Sequence, residues 1–159
     1  MLFGLEKLIK KLMNFTPQIP EVVEVELKLE EKEIVKMVQS QLAKGFDGND
    51  ERVYLTRRGQ KTYNYARYTL WRKDVFGQGI GSITDHITNY MSGQFYNSLY
   101  VQFNGDDDFE VKSNNTLIWL IKERSGDAII NLSYESEQYL YQNEIAPDIQ
   151  QVINQLFYE

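Results

Sequence analysis

FYNSLYVQFNGDDDFEVK, residues 95–112, reads as two extended segments folded back on each other. Residues 96–103 are dense in aromatic and β-branched side chains, Asn104-Gly105 begins a tight connection, and Phe109 to Lys112 returns as the partner strand. A hairpin near the middle of the chain predicts an antiparallel sheet. On its C-terminal side the period becomes helical. Leu117, Ile118, Leu120 and Ile121 predict a short helix closed by Ser125-Gly126. Ser133, followed by Glu135 and Glu137, has the form of an N-cap with acids in the first turn, where the helix dipole favours them. Tyr141, Ile145, Ile149, Val152, Ile153 and Leu156 then recur in steps of three and four, and Pro147 should kink or restart that helix.

On the N-terminal side, residues 84–90 are a second strand candidate. Gly77, Gly79 and Gly81 predict a flexible loop, Tyr68, Leu70 and Trp71 an extended segment, and residues 46–66 a long loop. Ile34, Met37, Val38 and Leu42 mark a helix stopped at Lys44-Gly45, a cation followed by a C′ glycine. Val23, Val25, Leu27 and Leu29 alternate with Glu24, Glu26 and Lys28, the period of a strand. Before them Leu2, Leu5, Leu8, Ile9, Leu12 and Met13 line an amphipathic helix with lysines between. The linker-like TPQIP follows, which suits a docking arm better than a membrane anchor. The expected class is α+β: an antiparallel sheet flanked by N- and C-terminal helices, with residues 1–20 an arm and 21–159 one domain.

Composition narrows the function. The 159 residues are 42% hydrophobic and 25% charged, and no apolar run approaches the roughly 20 residues of a membrane span. With no cysteine, disulfides, thiolate chemistry and cysteine metal sites are excluded. The net charge of −6 is unevenly spread, at −3 over residues 1–51, +5 over 52–105 and −8 over 106–159. Opposite ends of this kind suit self-association, and equally suit separate solvated faces of a monomer.

No chemical motif survives inspection. Gly77-Gln-Gly79-Ile-Gly81-Ser82 has Ser82 where a dinucleotide fingerprint needs glycine, and it lacks the βαβ frame. His86, beside Asp85, has no second histidine to share a metal and no GxSxG serine to activate. Asp106-Asp107-Asp108 and Asp47-Gly-Asn49-Asp50 read as turns, without the alternate spacing of a calcium loop. The expectation is therefore a protein that is no enzyme and carries no metal or cofactor. The sharpest signal is residues 52–73, where Arg52, Arg57, Arg58, Lys61, Arg67, Arg72 and Lys73 interleave with Tyr54, Tyr63, Tyr65, Tyr68 and Trp71, with no acid among them. Arginine and tyrosine are enriched at protein interfaces. The same pattern serves single-stranded nucleic acid, which is the alternative reading.

Four phrases in order carry a resemblance: Gln41-Leu42-Ala-Lys-Gly45-Phe-Asp47-Gly48; the pair Tyr65-Ala66; Ser92-Gly93-Gln94-Phe95-Tyr96-Asn97-Ser98-Leu99; and Gly126-Asp127-Ala-Ile129-Ile130-Asn-Leu132-Ser133. Over residues 34–159 the chain resembles the head–tail connector and tail-completion proteins of tailed phages, in particular the neck ring proteins of crAss-like phages. It departs from that pattern in its first helix and strand and in the glycine-rich loop before residue 84. The resemblance implies a structural virion protein of the neck or tail, made in the host cytoplasm. It would form a homo-oligomeric ring that joins portal to tail and extends the DNA conduit. Its partners would be copies of itself and adjacent portal, neck or tail proteins. DNA would pass through the lumen without specific binding, and no membrane would be involved. Such a ring needs head-to-tail contacts. The residues expected to make them are Arg57, Arg58, Tyr65, Arg72 and Phe95 on one side and Glu135, Glu137 and Asp148 on the other.

Overall fold

The 95–112 stretch forms the expected hairpin, preceded by one helical turn. The structure, a computed structural model, describes residues 15–90, 93–105 and 108–158, the last three by backbone alone. The amphipathic segment of residues 1–13, Ser92, Asp106 and Asp107 lie outside the described residues. In chain order a 3-10 turn (Thr16–Gln18) leads to helices α1 (Ile19–Leu29) and α2 (Glu31–Ala43). Strands β1 (Leu55–Arg57) and β2 (Gln60–Thr62) precede α3 (Arg67–Phe76), a 3-10 turn (Gly79–Ser82) and the single turn α4 (Gln94–Asn97). After β3 (Leu99–Phe103) and β4 (Phe109–Ser113) come α5 (Ile118–Ser125), a 3-10 turn (Asp127–Ile130), α6 (Tyr134–Tyr139), a π-helical turn (Leu140–Ile145) and α7 (Ala146–Tyr158). The class is α+β. Its sheet component consists of two separate antiparallel pairs, β1–β2 and β3–β4.

The core sits where one face of β3–β4 meets α1, α2 and the C-terminal helices. Val101 and Val111 are direct cross-strand partners and both are buried. Ile34, Val38 and Leu42, one stripe of α2, close over them with Leu27 of α1 and Leu140 and Ile145 of the π turn. Truncating a fully buried leucine such as Leu27 to alanine costs about 2–5 kcal/mol.

Several local expectations hold. α2 stops at Lys44-Gly45, with Gly45 at φ +84°. A Cβ there would also lie 2.5 Å from the His86 ring. The side chain of Ser133 caps α6 by accepting from the Ser136 amide at 3.3 Å.

Others are corrected. The helical run passes from the π turn into α7 one residue before Pro147 and continues through it without a break. Residues 19–29 are helical, not a strand. In that helix Ile19, Val23 and Leu27 fall four apart on the inner face, and Glu24 pairs with Lys28 one turn on. The TPQIP linker is a 3-10 turn running into the same helix. Residues 67–76 are helical, not extended, and the loop over 46–66 contains the β1–β2 hairpin. Residues 84–90 form no strand, and the glycine run is a packed turn. A Cβ on Gly77 would lie 2.2 Å from the carbonyl oxygen of Lys73.

Candidate protein-binding surfaces

Helix α3 has almost no apolar inner face. Its inward anchor is Lys73, which is buried and whose Nζ donates to the carbonyls of Gly81 (3.0 Å) and Tyr90 (3.1 Å), with the Tyr65 ring 4.9 Å away. Burial pushes the Lys73 pKa down. One lysine thus ties the helix to the 79–90 segment, with Leu70 half-buried against the core and the other apolar residues outside. Tyr68, Trp71 and Val75, spaced three and four apart, form an outward stripe exposed by 67%, 52% and 52%, and Phe76 beside them is 70% exposed. Their rings brace one another, Tyr68 on Trp71 at 5.9 Å and Trp71 edge-on to Phe76 at 5.8 Å. Arg67 and Arg72 are exposed on the same helix. A cluster of braced, exposed aromatics makes this face a candidate binding surface, since leaving it in water forgoes burial worth about 25 cal/mol per Å².

The second basic element is the β1–β2 tip. Arg57 pairs with Gln60, leaving Arg58-Gly59 as a two-residue turn with φ +51° and +75°. Both values are positive, as a type I′ turn requires, and only glycine adopts them without strain. Arg57 and Arg58 are exposed, and neither they nor Arg67 and Arg72 make an ion pair with any described residue.

Arg57, Arg58 and Arg72 are therefore placed on the surface. Tyr65 and Phe95 are corrected to core positions. The Tyr65 hydroxyl accepts from the Thr88 amide at 2.8 Å and bonds the Thr88 hydroxyl at 3.2 Å, while Phe95 packs edge-on to Tyr96. Both also line a cleft of about 360 Å³ with Leu120 and Arg124. The three acids do not form one face. Glu135 lies on the wall of a groove between α2 and α6. Glu137 shares a different cleft with Lys112 and Lys122. Asp148 on α7 stands against Glu26.

The α2–α6 groove has a volume of about 860 Å³. Glu33, Lys36, Met37, Ser40 and Lys44 line one side. Phe46 and Tyr139 stand exposed on its walls. Gln41 is the buried brace beneath it. Its Nε2 donates to the Asn131 carbonyl and its Oε1 accepts from the Ser133 amide, each at 3.0 Å. An acidic seam runs along the neighbouring edge. The Glu26 carboxyl is held above its ordinary range by burial, then by Asp148 and Glu30. That of Glu30 is held up by burial, then by Glu144, Glu33 and Asp148, with Lys36 opposing.

Two of the phrases behind the phage resemblance, 41–48 and 126–133, meet in space. Gln41 reaches Asn131 and Ser133, the Gly48 amide donates to the Ala128 carbonyl at 2.9 Å, and Gln39 donates to the Tyr96 carbonyl at 2.9 Å. They build the frame beneath the surfaces. His86 belongs to the same frame, its Nε2 lying 2.7 Å from the Ala43 carbonyl at the end of α2 and its Nδ1 2.9 Å from Asp85. Asp47 closes its turn by accepting from the amides of Asn49 and Glu51. Among the described residues no group of three or more His, Asp or Glu is placed to hold a metal ion, and no helix is long and apolar enough to cross a membrane. Sequence reasoning missed Val75, Phe76, Phe46 and Tyr139. The spacing 68–71–75 was available, but only to a helical reading of that segment. No family model, curated protein or solved structure matches the chain.

Proposed function

We propose that the chain is a structural protein that works by adhesion, assembling with copies of itself as a ring in the neck or tail of a tailed phage, where it joins portal to tail and extends the DNA conduit. The observation that carries this reading is the outward face of α3, a braced aromatic stripe flanked by arginines with no ion pair among the described residues and fixed from behind by Lys73. Rigid aromatics lose little entropy on docking, and arginines beside them choose an acidic partner. The −8 charge over residues 106–159 gives another copy such a surface. The four sequence phrases supply the virion context. Replacing Arg57 and Arg58 by glutamate is expected to weaken ring formation, and unchanged rings in negative-stain images would count against the contact.

One observation favours a second reading, binding of single-stranded nucleic acid. Arg57, Arg58, Arg67 and Arg72 are exposed and make no ion pair among the described residues, and Tyr68 and Trp71 offer rings. Retention on an oligonucleotide column that falls steeply with salt would support it, and no retention at low salt would remove it.

A further inference from the structure

We infer that the groove between α2 and α6 is the receptor for helix α3 of a second copy of this chain. The inference rests on the self-association proposed above and names the two surfaces that meet. Three features match them.

The first is shape and length. Helix α3 has 10 residues, about 15 Å, with its aromatic stripe on the outside as a ridge, and the groove runs along α2 from Glu33 to Lys44, about 16 Å. The second is apolarity. The α3 stripe places anchors at one-turn spacing, the pattern of an amphipathic helix laid in a groove. Met37, Phe46 and Tyr139 are the apolar walls that would receive them, and methionine adapts to irregular partners.

The third is charge. Arg67 and Arg72 stand on the ridge with Asp74 the single acid of α3. Within the groove Glu33 is paired with Lys36, which leaves Asp50 and Glu135 against Lys44. Beyond the Glu33 end, Glu30 and Glu144 extend the negative field. A copy's own α3 is held against its 79–82 turn by Lys73, so the occupant comes from another molecule. Because ridge and groove are different patches, each copy has one donor and one acceptor surface. Contacts of this type run head to tail and either close into a ring or continue as a filament.

The test uses two full-length variants, Trp71→Asp on the ridge and Ser40→Trp in the groove, both at exposed positions. Circular dichroism checks that each is folded, and Tyr139→Ala replaces the groove variant if Ser40→Trp is not. Each variant alone is expected to associate at least tenfold more weakly than the wild type. Mixed in equal amounts, they are expected to form a one-to-one dimer and nothing larger, since one intact ridge meets one intact groove. A folded groove variant that assembles like the wild type overturns the groove assignment and leaves self-association standing. A mixture that gives no dimer also overturns it. A wild-type chain that never associates overturns the reading on which the inference rests.

Discussion

Arg58 holds a left-handed conformation, φ +51°, that costs a non-glycine residue about 1–2 kcal/mol. Asparagine tolerates that region better, so Arg58→Asn is expected to stabilise the fold by about 0.5–1 kcal/mol in urea titration. The same variant is expected to associate more weakly if the tip makes contact, the usual relation between strain and function. Gln41 behaves oppositely. It is buried and satisfies two backbone groups 90 and 92 residues away in sequence. Gln41→Leu would strand the Asn131 carbonyl and the Ser133 amide, and a loss of about 1–3 kcal/mol is expected. Neither role was visible in the sequence. Arg58 sat in an assumed loop, and Gln41 appeared only as part of a short phrase whose partners lie far along the chain.

At the scale of elements, the segments whose sequence period agrees with burial were legible. The β3–β4 hairpin, α2 with its Lys44-Gly45 stop, α5 and the Ser133 cap follow from local chemistry. The two misread elements share a physical cause. In α1 every second residue from Val23 to Leu29 is apolar, because apolar residues lie on both faces of the helix: Leu27 is sealed, while Val25 and Leu29 are exposed. In α3 the aromatics point outward and a lysine points inward. A pattern that serves an exposed surface as well as the core breaks the single-face rule on which periodicity depends. The acidic seam along α1 supplies the pH test at this scale. Glu26 and Glu30 have folded pKa values raised above 4.5, so they keep protons that the unfolded chain releases. The stability linked to them is fully present below pH 4.5 and is lost as pH rises through the raised values. The Glu26→Gln/Glu30→Gln variant is expected to melt higher than the wild type at pH 7. That gap should narrow towards pH 4.5 and in high salt, since both groups are largely open to screening.

At the scale of the molecule, the surfaces divide by sign. The β1–β2 tip and α3 present exposed arginines with aromatics, while α1, the π turn and α7 present crowded carboxylates around Glu26, Glu30, Glu144 and Asp148. Repulsion within the acidic seam and solvation of the exposed rings would both be relieved by contact between copies. The most direct measurement is sedimentation velocity of the full chain over a concentration series, alongside Trp71→Ala. The account predicts species larger than a monomer that grow with concentration in the wild type, and a monomer in the variant at the same concentrations. A wild type that stays monomeric throughout, or a folded variant that assembles equally well, would contradict it.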